Sequence, residues 1–145
     1  MKQILLLSLI HILFINPSYS QDVKSLTKAE LKVVFSEYQK TANKLFSEAG
    51  TVADADRLYN VFYTADFEYN HPAYGGIYSK ELLYNNTIKY LKKGGYNDSP
   101  KRETINIIIG LDAIVVEQKY ENDEETTMTL FKFRGNKIYY IEEYW

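Results

Sequence analysis

Apolar residues recur three and four positions apart from Leu31 to Leu45, through Val34, Phe35, Tyr38 and Ala42. That spacing gathers them on one stripe of an α-helix. Thr27 and Glu30, three apart ahead of the stripe, have the pairing of a capping box, and Gly50 is the expected stop. Thr51 can cap a second helix with Ala55, Leu58, Tyr59 and Phe62 on one face. The period then changes from helical to two. Over 66–71, Phe67, Tyr69 and His71 point one way, Glu68 and Asn70 the other. Pro72 has no amide for a ladder and ends that strand. Gly75 and Gly76 then supply a turn or short hairpin. Ser79 can cap a third helix, closed by Lys92, Lys93 and Gly94.

The rest of the chain is β-rich. RETINIII (102–109), AIVVEQKY (113–120), TTMTLFKF (126–133) and KIYYIEEYW (137–145) are four strand candidates, and the Arg-Gly-Asn between the last two predicts a tight hairpin. The order is ααβ(β)αββββ. Helices gathered ahead of consecutive strands predict an α+β fold, with helices packed on one mainly antiparallel sheet.

The N-terminus stands apart. Lys2 precedes the apolar run Ile4–Ile15, and Asn-Pro-Ser-Tyr-Ser breaks it, leaving Ser18 and Ser20 at small-residue cleavage positions. This is the pattern of a secretory signal peptide over 1–20, and the run is shorter than the ~18 residues of a membrane span. The expected mature chain is one domain, 21–145, secreted or periplasmic, and off the membrane once the leader is cleaved.

Composition narrows the chemistry. There is no cysteine, which excludes a disulfide framework, a thiol nucleophile and cysteine-bound zinc. The formal charge of −2 offers no basic stripe, so no nucleic-acid partner is expected. His11 lies in the leader, so His71 is the one histidine of the mature chain, and no metal site built on several histidines can form. With no Gly-rich phosphate loop either, no cofactor is expected. The acidic group at Glu121, Asp123, Glu124 and Glu125 lacks EF-hand spacing and reads as a solvated hairpin tip. Asn85-Asn86-Thr87 matches a glycosylation sequon but lies within a predicted helix.

The order of elements, the His-Pro at 71–72 and the closing FKFRGNKIYYIEEYW resemble the NTF2-like (SnoaL-like) superfamily, over about Leu26 to Trp145. The resemblance implies a cone: three helices of the N-terminal half packed on a strongly curved, mainly antiparallel sheet around a pocket. It also implies a convex sheet face that pairs copies into a homodimer, where the C-terminal tyrosines would fit. The superfamily hosts isomerases, dehydratases, cyclases and epoxide hydrolases beside non-catalytic binding domains, so fold alone assigns no activity. In its steroid-isomerase branch the general base is an acid just before a proline; His71 stands there in this chain. The branch's second acid falls at Thr129, and its oxyanion-hole tyrosine at Leu45 or Phe46, with Tyr38 two turns earlier. One of three roles survives, with a changed residue type.

Tyr69, His71, Tyr74, Tyr78, Glu117 and Thr129 are the candidate pocket residues. His71 is the one candidate base, because imidazole titrates near neutrality. Glu117, Glu142 and Glu143 are the carboxylates that can orient it. Tyrosines suit an amphiphilic ligand, having an apolar ring and a polar tip. The leading expectation is a domain that binds a small, partly apolar molecule or a protein partner without catalysis. The alternatives are a cofactor-free lyase, isomerase or hydrolase with His71 as base, and an interaction module working through its outer sheet face.

Overall fold

The computed structural model describes residues 25–96, 102–121 and 124–144, and at Tyr74 the backbone only. The expected leader and Trp145 lie outside the described residues. The first apolar stripe folds as helix α1, Lys28–Leu45, with the capping box formed: the Thr27 hydroxyl accepts from the Glu30 amide, and the Glu30 carboxylate accepts from the Thr27 amide at 2.8 Å. The helix stops at Leu45, before Gly50. Gly50 serves another purpose: a Cβ there would lie 2.0 Å from the Leu45 carbonyl oxygen, so only glycine lets the chain fold back this closely.

Helix α2, Val52–Arg57, has its own capping box from Thr51 and Asp54. The Asp54 carboxylate also receives the Lys44 ammonium at 2.7 Å, tying the end of α1 to the start of α2. Lys44, and then the Thr51 hydroxyl, hold the Asp54 carboxyl below the usual carboxylate range. A pKa lowered by folding gives stability that is full above the unfolded value, near 4, and is lost as pH falls through the folded value. Asp54→Ala should therefore cost about 1–2 kcal/mol at neutral pH. Urea midpoints of the variant and the parent should converge below the ordinary carboxylate range; a gap that persists in acid would show that the charge is not the source.

The chain then widens into a π-helical turn, Leu58–Phe62, before entering β1, Tyr63–His71. The strand starts earlier than its alternation announced, because the buried Phe62 and Tyr63 are adjacent and hide a change of period. A 3-10 turn over Pro72–Tyr74 and Gly75 at φ 80° lead into β2, Gly76–Ser79, so the glycine pair makes a real hairpin. Helix α3 covers Lys80–Lys92. Strands β3 (Arg102–Ile109), β4 (Ala113–Tyr120), β5 (Thr126–Arg134) and β6 (Lys137–Tyr144) follow. In the β5–β6 turn only Gly135 has positive φ, as a type II′ hairpin requires.

The sheet order is β2-β1-β6-β5-β4-β3. All pairs are antiparallel except β1 with β6, where the two halves of the chain join in parallel. Register shifts interrupt β1–β6, β3–β4 and β5–β6, and such bulges bend a sheet. At the last of these, Lys132 faces Tyr140 and Phe133 faces Ile138, so Tyr139 is the extra residue.

One sheet face is buried under the helices. It carries Tyr63 and Phe67 of β1, Ile114 and Val116 of β4, Phe131 and Phe133 of β5, and Ile138 and Ile141 of β6. Phe131 packs edge-on against Phe35 and Tyr38 of α1, at ring separations of 4.9 and 5.5 Å. Tyr63 stacks on Phe67 at 3.9 Å. Aromatic rings thus fill the space between α1 and the middle of the sheet. Edge strand β3 stays open, with Ile105, Ile107 and Ile108 exposed. Thr87 is buried, and its hydroxyl bonds that of Tyr59 at 3.0 Å, so the sequon threonine belongs to the core. Glu121, Glu124 and Glu125 are exposed.

Candidate functional site

Toward one end of the buried face the residues turn polar. On β1 the alternation that buries Phe67 carries on to Tyr69 and His71, and His71 is only 5% exposed. On β6 the extra residue Tyr139 resets the alternation, so Ile141 and Glu143 point inward. Glu143 is 6% exposed, and one carboxylate oxygen lies 3.4 Å from His71 Nε2. The Tyr69 phenol lies near the same carboxylate; burial, followed by the charge of Glu143, pushes the Tyr69 pKa up. The second carboxylate oxygen lies 3.4 Å from Arg102 Nη1, at the start of edge strand β3. The Arg102 guanidinium rests 4.8 Å above the Tyr120 ring, and its side chain is 42% exposed. Thr129, directly across from Glu143, and Thr127 add two buried threonines to this end.

Of the expected site residues, the fold brings together Tyr69, His71 and Thr129. Tyr78 joins them, since it faces Tyr69 across the β1–β2 hairpin with the rings 6.2 Å apart. The side chain of Tyr74 lies outside the described residues. Glu117 does not join them. It faces the half-exposed Met128 and accepts from the Thr126 hydroxyl at 3.1 Å, on the opposite sheet face from Val116 and Thr129. Of the three carboxylates able to orient His71, Glu143 does so; Glu142 points the other way and accepts from the Asn70 amide at 3.0 Å. Arg102 and Thr127 complete the group. Thr127 shares the alternation of Thr129, whereas Arg102 carries no local signal and is placed by the pairing of β3 with β4.

Leu45, at the isomerase branch's tyrosine position, is fully buried in the core, and Phe46 is exposed, edge-on to Tyr96 at 5.1 Å. Tyr38 sits deep in the aromatic fill with its hydroxyl 3.3 Å from that of Tyr63, and burial pushes its pKa up to about 12. A phenol so disfavoured as an anion stays neutral and serves as a hydrogen-bonding group.

Chemically, a carboxylate at Nε2 fixes the orientation of the His71 ring, and Arg102 holds the other carboxylate oxygen. Arg102 is the member of the group most open to water. Two surface clefts, of about 440 and 220 Å³, lie elsewhere and are not lined by His71. Among the described residues no group of three or more His, Asp or Glu is placed to hold a metal ion, and no helix is long and apolar enough to cross a membrane.

No family model matches the chain, and no curated protein is similar to it in sequence. Solved structures do match. A SnoaL-like protein of unknown function from Burkholderia thailandensis superposes with a TM-score of 0.58 at 16% identity, over 82% of this chain and 97% of that one. An NTF2-like protein of unknown function from Pseudomonas aeruginosa gives 0.57 at 14% identity, over 81% and 97%. A de novo designed protein with a curved β-sheet gives 0.54 at 15% identity, over 81% and 86%. At such identities the likeness is one of architecture, and the designed neighbour shows that this architecture needs no inherited activity. Three helices packed on a bent six-stranded sheet, mixed but mostly antiparallel, are the NTF2-like fold.

Proposed function

We propose that this is an exported NTF2-like domain that binds a small, partly apolar molecule at the His71 end of its sheet, without turning it over. The observation that carries the reading is the buried His71–Glu143 pair, with Tyr69 near it and Arg102 at the second carboxylate oxygen. Buried polar groups arranged for hydrogen bonding beside aromatic rings are what orient a small ligand in a concave site. Binding is favoured over catalysis by the residues at the isomerase branch's other two positions. Thr129 stands where the isomerase branch keeps a second acid, and Leu45 and Phe46 stand where it keeps a phenol. None of the three can exchange a proton at neutral pH. The apolar run ahead of Asn16 supports export.

A ligand-observed NMR screen of small amphiphiles against the full chain tests this, repeated with His71→Gln. Compounds that bind the parent should bind the variant about tenfold more weakly, the loss of one hydrogen bond to a polar or charged group. Equal affinity for both proteins would remove His71 from the site. Turnover that falls on the order of 10²-fold or more in the variant would replace this reading with acid–base catalysis, the one further role that a carboxylate-oriented imidazole supports.

A further inference from the structure

The larger cleft, about 440 Å³, lies between the π-helical turn, β1 and the start of α3, and none of its lining residues belongs to the His71 group. Its walls are the rings of Tyr59 and Tyr84 and the side chain of Ala65; its polar groups come from Asn60, Lys80 and Glu81. Lys137 stands beside it and donates to the Asn60 carbonyl at 3.0 Å. The two lysines feel each other: burial first, and then the Lys137 charge, lower the pKa of Lys80. Among the described residues neither ammonium has a carboxylate within ion-pair distance. The nearby Asp56 is engaged by the Tyr84 hydroxyl at 2.6 Å. A partly desolvated lysine with a second lysine near it, beside aromatic walls, gains from an anion.

We infer that this cleft is a second ligand site, for a small monocarboxylate with an apolar or aromatic body. The carboxylate lies between Lys80 and Lys137, and the body lies along Tyr59 and Tyr84. Glu81 and Asp56 offset the two lysine charges, so the apolar body along Tyr59 and Tyr84 selects the guest and disfavours phosphate, which has none.

Benzoate and inorganic phosphate, titrated separately into the isotope-labelled full chain and followed by amide NMR, separate the outcomes. Benzoate should give saturable shifts at Asn60, Ala65, Lys80 and Tyr84 and none at His71 or Glu143. Phosphate should bind at least about tenfold more weakly. Lys80→Gln, at a half-buried position with no ion pair to break, should leave the melting temperature unchanged and weaken benzoate about tenfold. The inference is overturned if benzoate gives no saturable shift up to tens of millimolar, if Lys80→Gln leaves its affinity unchanged, or if phosphate binds as well. A benzoate response at His71 instead would assign the carboxylate to the other site.

Discussion

Glu143→Ala is expected to lower the unfolding free energy by about 2–3 kcal/mol, the cost of leaving buried polar groups without their partner. His71 is buried and cannot turn its Nε2 to water, whereas the partly buried Tyr69 can adjust. Arg102, with its side chain 42% exposed, can swing out and adds little. Glu143→Gln keeps the volume and an acceptor oxygen facing His71, so it should cost roughly half as much. Denaturant unfolding of the two variants beside the parent decides the matter. A loss below about 1 kcal/mol for the alanine would mean that the carboxylate is solvated and not part of a buried group.

Gly50→Ala should cost about 3 kcal/mol, although the residue lies in a loop, where exchange of glycine for alanine is ordinarily mild. The added carbon would meet the Leu45 carbonyl oxygen at 2.0 Å. Neither atom is the end of a flexible side chain, so the backbone has to move. Movement there displaces the last turn of α1, which carries fully buried Leu45 and the lysine that holds Asp54. The variant should therefore lose amide-exchange protection in α1 and at the start of α2 before elsewhere. A melting curve superimposable on the parent's would show that the loop relaxes freely.

Where each period ran unbroken, the residues told the fold in advance. The capping box at Thr27, the cap at Thr51, the stripe on α1 and the alternation from Phe67 to His71 all lie within a few residues of chain. The choice among Glu117, Glu142 and Glu143 could not be made that way. Counting in twos along β6 from buried Ile138 points Tyr140 and Glu142 inward. The extra residue at Tyr139 reverses that and turns Glu143 toward His71 instead. A bulge is a property of two paired strands and leaves no mark in either one alone. Arg102 was illegible for a related reason, since it meets Glu143 only because β4 and β5 bring β3 and β6 into one sheet. The end of α1 was misplaced because Gly50 looked like a stop, whereas its lack of a side chain answers a close approach of backbone to backbone.

The parallel seam between β1 and β6 also sets an order of events during synthesis. The meander β3 to β6 and the hairpin β1–β2 can each zip up from neighbouring residues, but nothing in the sheet joins them except β6. Tyr69 must find Ile141, and that loop is expensive to close. Until the final strand leaves the ribosome, the aromatic rings of α1 and β1 have no Phe131 layer fixed against them and no Ile141 beside Phe67. A nascent chain in that state shows water an apolar surface that the finished protein hides.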